Sequence, residues 1–394
     1  MHNVLLVGSN RTPIGAMSGI YSYTSAVDLG IATANEALAR SGATADQIDE
    51  VIYGNVLQAG QGQNPARQIS IGAGIPESVS SFTVNKVCGS GMKALELGWQ
   101  SIALERANVI LAGGTENMTQ APYLLPSMRS GARLGDVQAV DSMVADGLTD
   151  VFNQYHMGIT AENIAEQFSI GRDEQDEFSL GSQLKCAAAQ ESGKFDDEIV
   201  AVTTLNRRKE VIVDTDEYPK ANSSIEGLAK LRAAFKKDGT VTAANASGIN
   251  DGSASMIIVA EDAVPDNVDV SNAVYLRDVR SSGCSPTTMG LGPISSVRKL
   301  LEHNNLSIDD IDLWELNEAF AVQSLAVVKE LGMNADKVNV NGGAIALGHP
   351  IGCSGARIVT TLIHELKRRG ARYGIAAMCI GGGQGIGCLI ENKS

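Results

Sequence analysis

The sequence has few aromatic residues and no long apolar run. Aromatic residues make up 4% of its 394 residues, which is too few for the stacking surfaces that bind single-stranded nucleic acid. The first apolar run, residues 4–7 (VLLV), is far shorter than the roughly 18 residues that span a bilayer, and it lacks the basic flank of a secretory signal. We therefore expect a cytoplasmic protein with no membrane partner.

Positive charge is also scarce. The chain has 31 Lys and Arg against 45 Asp and Glu, a net charge of −14. Nucleic-acid binders usually need a basic face, because neutralising phosphates supplies most of their affinity, so we expect no nucleic-acid partner. The 44% hydrophobic and 19% charged residues indicate a globular chain, and its length suggests about two or three domains.

Cysteine pairs of the metal-binding kind are missing. The six cysteines include no C-x-x-C pair, so we expect no zinc site, and in a reducing compartment we expect free thiols. Glycine, in contrast, is abundant: 42 of 394 residues is about 10.7%, against roughly 7% on average. This excess predicts many tight turns and close backbone contacts.

Apolar patterns predict strands that alternate with helices. In the first half, strands are expected at residues 4–7, 51–53, 82–84 and 109–112, and helices at 26–40 and 91–105. In the second half, helices are expected at 294–304, 319–331 and 355–369, and strands at 311–316, 375–380 and 386–390. This alternation favours an α/β fold with mostly parallel sheets.

The two halves share a weak internal repeat. Three segments of the first half resemble three of the second, in the same order: 51–55 and 313–317, 88–91 and 352–355, 109–114 and 377–382. The repeat favours two copies of one α/β unit, although unrelated α/β segments can look alike at this level. Residues 119–250 match neither half, and an insertion of this kind, with helices expected at 161–168 and 173–192, commonly carries binding loops.

Cys88 lies where a predicted strand ends, a glycine turn follows and a helix begins (VNKVCGSGM, residues 84–92). The unpaired N–H groups at a helix start lower the pKa of a nearby thiol and favour the reactive thiolate, and the pattern resembles a nucleophile elbow. A free cysteine is more commonly a small buried residue. Gly89 and Gly91 around the junction favour the catalytic interpretation.

His349 lies in a glycine-rich loop of low charge, residues 340–352, before a predicted helix. Pro350 stiffens this loop, and its glycines allow close approach to a ligand. A near-neutral imidazole commonly activates a thiol. On this motif alone, a capping role in an irregular loop is an equally good interpretation.

Two further candidates follow predicted strands. Cys379 ends a strand, where ligands of open α/β sheets gather. The glycines at residues 381–383 do not form a dinucleotide-binding pattern, because position 388 is cysteine and no helix follows; their N–H groups suit a developing oxyanion better. Asn317 precedes the helix expected at 319–331, where it would hold a water, orient an imidazole or cap the helix.

These segments together resemble the thiolase family along essentially the whole chain. The matches, in order, are residues 11–15 (RTPIG), 84–92, 113–118 (GGTENM), 245–252 (NASGINDG), 317–320 (NEAF), 348–352 (GHPIG) and 379–385 (CIGGGQG). Within the family, residues 155–158 (YHMG) are similar to the short-chain acetoacetyl-CoA type. Degradative members for longer chains typically lack this histidine.

The resemblance implies a thiolase fold, which is an α/β fold. Two similar βαβαβ-type repeats would carry mixed five-stranded sheets in an α/β/α/β/α arrangement. The implied domains are an N-terminal one of residues 1–118 and 251–270, an inserted CoA-binding loop domain of residues 119–250, and a C-terminal one of residues 271–394. The implied assembly is a homotetramer (a dimer of dimers) or a homodimer.

The reaction implied is the reversible condensation of two acetyl-CoA to acetoacetyl-CoA and CoA. It needs no metal or redox cofactor, since the coenzyme A thioesters are substrates. The resemblance makes Cys88 the acyl-accepting nucleophile, His349 its base and Cys379 the acid/base for the second acetyl group. One oxyanion site would lie between His349 and a water on Asn317, and the other between the N–H groups of Cys88 and Gly381.

By resemblance, nine residues contact the substrate: Leu148, His156, Met157, Lys220, Ala244, Ser247, Met289, Ala319 and Phe320. Between residues 206 and 237, eight Lys or Arg against five acids give a local charge of +3, which is consistent with a phosphate-bearing ligand. Each of these cations taken alone can equally be a solvated surface residue. Lys220 stands where arginine is common in the family.

Other functions stay open at this point. One is a degradative 3-ketoacyl-CoA thiolase of broader chain length, and another is a decarboxylating ketoacyl synthase, for which Asn317 stands where a second histidine would be wanted. A third is an inactive CoA- or lipid-binding module, against which Cys88, His349 and Cys379 speak together. No role is assigned to the remaining cysteines: Cys186, Cys284, Cys353 and Cys388.

Overall fold

The computed structural model describes residues 3–206 and 209–393. Its strands are β1 Val4–Arg11, β2 Gly15–Ala16, β3 Glu50–Gly54, β4 Ser80–Val84, β5 Val109–Asn117, β6 Tyr123–Leu124, β7 Val140–Asp141, β8 Thr149–Asp150, β9 Tyr155–His156, β10 Val202–Asn206, β11 Lys209–Val213, β12 Asn250–Ala260, β13 Val274–Gly283, β14 Leu313–Leu316, β15 Tyr373–Ile380 and β16 Gln384–Asn392. Its α-helices are α1 Ala26–Ser41, α2 Pro65–Gly72, α3 Ser90–Ala103, α4 Met157–Phe168, α5 Arg172–Glu191, α6 Ile225–Ala229, α7 Gly292–Asn304, α8 Ala321–Leu331, α9 Ala344–Leu347 and α10 Ser354–Arg369.

One mixed sheet of ten strands runs through the molecule. Its strands lie side by side in the order β14-β15-β16-β13-β1-β12-β5-β3-β4, and β2 pairs with β12. The part from β4 to β1 and the part from β14 to β13 have the same internal plan, with β3–β5 and β14–β15 paired in parallel. The two parts join where β1 pairs antiparallel with β13, with Leu5 opposite Tyr275.

The second part has four strands where the first has five. A single parallel bridge between Val338 and Trp314 takes the place next to β14, which corresponds to the place of β4 next to β3. The two parts are thus two copies of one unit, the second with a reduced edge strand.

Helices cover both faces of each part of the sheet. Because successive strand residues point to opposite faces, Leu5 and Val7 pack with α1 and α2, while Val4 and Leu6 pack with α3 and α10. The cluster around α3 and α10 also contains side chains of β15 and β16, and α7 and α8 cover the outer face of β14 and β15 with Trp314. The layers are therefore α/β/α/β/α, as the resemblance implied. The expectation of mostly parallel sheets was wrong, because most strand pairs of this sheet are antiparallel, and the second repeat has one strand fewer than the five implied.

The two central helices touch at their N-terminal ends. A Cβ on Gly91 of α3 would lie 2.8 Å from the backbone nitrogen of Ala356, and a Cβ on Gly355 of α10 would lie 2.3 Å from that of Met92. Only glycine permits backbones to approach this closely. This reciprocal contact brings the segments before the two helices, which carry Cys88 and His349, to the same place.

Arg11 ties the inserted segment to the sheet. Its buried guanidinium donates to Glu198 at 2.6 Å and to both oxygens of Asp216 at 2.7 and 2.9 Å. Asp216 also accepts the Ile14 N–H at 2.7 Å. A buried ion pair of this kind, hydrogen-bonded on both sides, fixes where the segment leaves the core.

Candidate active site

A mostly apolar cavity of about 480 Å³ opens among the two halves and the inserted segment. Ten of the residues predicted for the site line it: Cys88, Leu148, His156, Met157, Ser247, Met289, Ala319, Phe320, His349 and Gly381. Four predicted residues do not line it: Asn317, Cys379, Lys220 and Ala244.

Cys88 lies on a strained turn. Val87, just before it, has a φ of +49°, in the left-handed region that β-branched residues avoid. Ser90 holds the turn, because its hydroxyl donates to the Val87 carbonyl at 2.6 Å and accepts the Lys86 N–H at 2.8 Å. Since α3 begins at Ser90, the Cys88 sulfur lies beside a helix start, in the strand–turn–helix geometry that the sequence predicted.

The Cys88 thiol is buried and neutral. Burial raises its pKa, while the backbone N–H groups of Gly381 and Cys88 itself lower it, and the Glu116 carboxylate raises it. The sequence predicted a lowered pKa; this was wrong, because the loss of hydration outweighs the N–H groups. The same two N–H groups point at the sulfur region, where the sequence expected an oxyanion site.

His349 is held in one tautomer. Its Nδ1 lies 2.6 Å from the Ser354 hydroxyl, which donates its own proton to the Pro350 carbonyl at 2.9 Å. The hydroxyl must therefore accept from Nδ1–H, which leaves Nε2 with the lone pair. Burial, and the positive charge of Arg357, lower the His349 pKa to about 3, so the ring is neutral at physiological pH.

The loop around His349 is fixed on both sides. The Asn250 side chain accepts the His349 N–H at 3.0 Å and donates to the Gly15 carbonyl at 3.0 Å. Gly348 has a φ of +105°, and a Cβ there would lie 2.3 Å from the Asn250 side chain. Glu116 accepts the Gly352 N–H at 3.0 Å at the other end of the loop.

Cys379 lies at the end of β15 and is fully buried. It packs with Met157, Met289 and Phe320, which line the cavity. Burial, and then the neighbouring Cys88 sulfur, raise its pKa well above that of an ordinary thiol. The structure thus brings the two predicted thiols close enough to interact, with Cys379 behind the cavity wall.

Asn317 lies beside His349. Its amide nitrogen is 3.4 Å from His349 Nε2, and its amide oxygen is buried with no hydrogen-bond partner among the described residues. The next helix, α8, begins only at Ala321, with Phe320 at its N-cap. The helix-capping interpretation of Asn317 was therefore wrong, and its free oxygen suits a bound water.

Aromatic rings shape the outer part of the cavity. His156 caps α4 by accepting the Gly158 N–H on Nδ1 at 3.0 Å, and burial lowers its pKa. Its ring stacks on Phe235 at 4.5 Å between centroids, and Phe235 meets Phe320 edge-on at 6.3 Å. Sequence analysis missed Phe235, since a lone phenylalanine in a basic segment carries no local signal.

None of the predicted basic residues lines the cavity among the described residues. Lys220 is exposed, with its Nζ 5.4 Å from the ring centre of Tyr218, which lines the cavity. Ala243, rather than the predicted Ala244, lines the cavity. Of the eight cations counted between residues 206 and 237, Arg207 and Arg208 lie outside the described residues.

Two family models match the chain: the thiolase N-terminal domain at residues 4–262 and the thiolase C-terminal domain at residues 270–392. The chain belongs to the thiolase family. A probable acetyl-CoA acyltransferase of Staphylococcus aureus (strain COL) is 52% identical over 392 residues, which is 99% of each chain.

Solved structures share the thiolase fold. A Bacillus anthracis acetyl-CoA acetyltransferase matches with a TM-score of 0.97 and 44% identity, over 100% of this chain and 99% of that one. A human mitochondrial 3-ketoacyl-CoA thiolase in complex with CoA matches with a TM-score of 0.94 and 42% identity, over 100% and 98%. The fold predicted from the sequence is confirmed.

Neither a metal site nor a membrane-spanning helix is found among the described residues. Within residues 3–206 and 209–393, no three His, Cys, Asp or Glu side chains come together as a metal site. None of the described helices combines the length and apolar character needed to cross a membrane.

Proposed function

We propose that this thiolase is an acetyl-CoA C-acetyltransferase, which reversibly condenses two acetyl-CoA to acetoacetyl-CoA and CoA through an acetyl-Cys88 intermediate. The observation that carries the proposal is the pair of interacting thiols, Cys88 and Cys379, beside a neutral His349. The names of the Staphylococcus aureus and Bacillus anthracis proteins support the substrate. No metal or redox cofactor enters the scheme, since the thioesters are the substrates.

In the first half-reaction, the Cys88 sulfur attacks the thioester carbon of acetyl-CoA, and its proton passes to His349 Nε2. The developing oxyanion accepts from the N–H groups of Cys88 and Gly381. The C–S bond to CoA then breaks, and the leaving sulfur takes the proton of Cys379. The products are acetyl-Cys88, free CoA, a Cys379 thiolate and a protonated His349.

In the second half-reaction, the Cys379 thiolate removes a proton from the methyl group of a second acetyl-CoA. A buried thiolate of high pKa is a strong base, which a carbon acid requires. The enolate oxygen accepts from His349 and from a water on Asn317, whose amide oxygen is free to hold it. The new C–C bond forms at the acetyl carbon, and Cys88 leaves and regains its proton from His349.

We assign CoA to the inserted segment, residues 119–250, placed between an N-terminal domain of residues 1–118 and 251–270 and a C-terminal domain of residues 271–394. His156, Ser247 and Phe235 line the cavity between the thiols and the exposed Lys220. The pantetheine arm suits this mostly apolar channel, and the phosphates suit Lys220 beside the lining residue Tyr218.

The cavity favours a short acyl group. Met157 crowds the catalytic loop, because a Cβ on Gly381 would lie 2.8 Å from the Met157 Cε. The competing function, a 3-ketoacyl-CoA thiolase of broader chain length, is favoured by the likeness to the human mitochondrial enzyme. Turnover of acetoacetyl-CoA against a long-chain 3-ketoacyl-CoA separates the two; faster cleavage of the long chain would reject our assignment.

We also propose a homodimer or homotetramer in the cytoplasm. β4 ends the sheet, and an open edge of this kind pairs readily with a second copy. The six free thiols support a reducing compartment. Light scattering in solution measures the assembly directly, and a monomer would contradict it.

Mass spectrometry after incubation with acetyl-CoA tests the mechanism. The wild type should carry an acetyl group on Cys88; Cys88→Ser should carry none there and lose turnover. Cys379→Ser should keep the acetyl group but lose condensation, and Cys388→Ser, at a buried cysteine of β16 outside the cavity lining, is the matched control. An acetyl group on another cysteine in the wild type would overturn the assignment.

A further inference from the structure

Arg357 is a buried arginine whose guanidinium makes no hydrogen bond within the described part of the chain. Its side chain is 1% exposed, and none of its three nitrogens has a hydrogen-bond partner among the described residues. A guanidinium carries several N–H donors and keeps its charge in proteins. Buried donors of this kind are almost always paired, either with protein atoms or with ordered water.

Glu315 faces Arg357 without accepting its hydrogens. Glu315 Oε2 lies 3.7 Å from Arg357 Nη1, which is beyond hydrogen-bond distance, and this oxygen has no other partner among the described residues. Burial raises the Glu315 pKa to about 8, and Arg357 opposes that rise; in either protonation state the pair shares no hydrogen bond. The other carboxylates that act on Glu315, those of Glu198, Glu318 and Glu365, accept from other side chains.

Arg357 lies one helical turn beyond the residue that holds His349. Ser354, whose hydroxyl accepts from His349 Nδ1 at 2.6 Å, begins α10, and Arg357 follows it by three residues. Residues three apart on a helix are neighbours on its surface. The positive charge of Arg357 lowers the His349 pKa, which agrees with this placement behind the ring.

Glu315 and Asn317 lie on one face of the strand β14 and its extension. Asn317 continues the strand, because its N–H donates to the Ala377 carbonyl at 3.0 Å. Residues two apart in a strand point to the same face and lie roughly 7 Å apart. Asn317 meets His349 at 3.4 Å. Two residues earlier in the strand, Glu315 meets Arg357 at 3.7 Å, so the second pair stacks behind the first.

Buried water can satisfy both pairs together. The Asn317 amide oxygen also lacks a partner among the described residues, as do the Glu315 oxygen and the Arg357 nitrogens. A buried water typically makes about three hydrogen bonds to polar groups of this kind. Since a hydrogen bond spans about 2.8 Å, one or two waters cover the step of roughly 7 Å between the two strand positions.

We propose that Arg357 and Glu315 are positioning residues for the enolate step, and that buried water between the two pairs links them to the water on Asn317. The inference rests on the proposed function, because the enolate oxygen is the group that the Asn317 water would meet. Neither Arg357 nor Glu315 lines the cavity, so neither touches the substrate. Their contribution is to fix the oxyanion site before the enolate forms.

Two rates separate this role from a structural one. Exchange of labelled CoA into acetyl-CoA measures the first half-reaction alone, whereas thiolysis of acetoacetyl-CoA also includes the enolate step. The double variant Glu315→Leu with Arg357→Met removes the pair without leaving a buried charge unpaired, a change that folds generally tolerate. It should slow thiolysis by at least about tenfold, but by less than the roughly 100- to 1,000-fold of a lost oxyanion donor, and it should leave CoA exchange nearly unchanged.

Two further variants sharpen the comparison. Arg357→Lys keeps a cation with N–H donors at the same position, so thiolysis should recover most of the wild-type rate. Arg369→Met, on the same helix but at a half-exposed arginine paired with Glu365, is the matched control and should keep both rates. A purely structural pair would change Tm and leave the ratio of the two rates as in the wild type. An unchanged ratio in the double variant would overturn the proposal.

A high-resolution crystal structure of the wild type decides the question without any variant. Ordered water between the Arg357 guanidinium and the Asn317 amide supports the proposal, and a dry contact there contradicts it. The exchange assay keeps the two levels of inference apart. A wild type that exchanges no CoA would reject the proposed function together with this inference, whereas normal exchange with an unselective double variant rejects this inference alone.

Discussion

Replacing Glu116 with glutamine tests how the active-site loop is anchored. The Glu116 carboxylate is fully buried and accepts only from N–H donors. One oxygen accepts from the Asn55 side chain at 3.0 Å and from Leu57 at 3.2 Å, and the other from Val56 and Gly352 at 3.0 Å. In glutamine, an NH₂ group replaces one oxygen and faces two donors, so two hydrogen bonds are lost whichever way the amide turns.

The magnitude follows from those two bonds. Each buried donor left without an acceptor costs about 1–3 kcal/mol, which gives about 2–6 kcal/mol for the pair. The neutral amide also removes the cost of burying a charge, since burial raises the Glu116 pKa to about 7. We therefore expect the free energy of unfolding to fall by about 2 kcal/mol, near the lower end of this range.

The same pKa shift gives a pH signature. Because the folded pKa is raised from 4.5 to about 7, the native state holds more protons than the unfolded one between these values. This group therefore lowers stability as pH rises from 4.5 to about 7. Glu116→Gln should not show this decrease in stability between pH 4.5 and about 7.

Urea unfolding and the rate of acetyl transfer measure the effect. Since Gly352 follows His349 in the anchored loop, a shift of about 1 Å would cost roughly a hundredfold in rate. Glu330→Gln, at an exposed carboxylate paired with Arg298, is the control and should stay within about 0.5 kcal/mol of the wild type. Glu116→Gln with wild-type stability and rate would refute the reasoning.

Two substitutions and one labelling experiment test the same loop and its charges. Gly348→Ala puts a Cβ at a φ of +105° and 2.3 Å from the Asn250 side chain, so urea unfolding should show a loss of more than ~1 kcal/mol. Ser354→Ala removes the acceptor of the His349 Nδ1 proton, so kcat should fall by at least ~10-fold with KM little changed, and threonine should restore it. Burial raises the Cys88 pKa and lowers that of His349, so Cys88 should be a neutral thiol at neutral pH. The rate at which iodoacetamide labels Cys88 should therefore still increase from about pH 6 to about pH 9. A rate that is constant from below about pH 7 would instead indicate a thiolate–imidazolium pair.

Elements with a local signature could be predicted from the sequence. The helix expected at residues 26–40 is found at Ala26–Ser41, because Ser25 forms a capping box with Asp28 and Gly42 ends the helix with φ of +74°. The helix expected at 355–369 is found at Ser354–Arg369. In both, the apolar period and the end signals agree.

β12 was missed because its side chains follow no alternation. All its residues, Asn250–Ala260, are buried, since the strand lies in the middle of the sheet with helices on both faces. Its Ser255 would suggest a loop in a sequence, yet the Ser255 hydroxyl lies 2.6 Å from both the Thr33 and the Tyr53 hydroxyls. These partners are more than 200 residues away in the chain, so no local pattern shows that the serine is satisfied in the core.

The candidate site also has residues that sequence motifs identify and properties that no motif can show. The motifs identified Cys88, His349 and Cys379, and the structure brings all three together. The Cys88 pKa could not be read from the motif, because the helix start is a local property whereas hydration depends on everything packed around the sulfur. Phe235 was missed for a similar reason, since it becomes part of the site only through its stacking on His156.

The internal repeat shows how one residue type can mislead. In the sheet, Gly54 pairs with Gly114, and Leu316 pairs with Ala377. If residues 51–55 are equivalent to 313–317, then the strands that pair with them are equivalent too, and residues 109–114 match 372–377. The sequence-based match of residues 109–114 to 377–382 was wrong by five residues. It aligned the two glycine pairs, at 113–114 and 381–382, which are not equivalent in the sheet. Gly114 lies inside β5, where a Cβ would come within 2.2 Å of the Gly352 carbonyl oxygen. The glycines at 381–383 instead form the turn between β15 and β16. The first run allows close packing at the centre of the molecule, whereas the second presents the Gly381 N–H to Cys88.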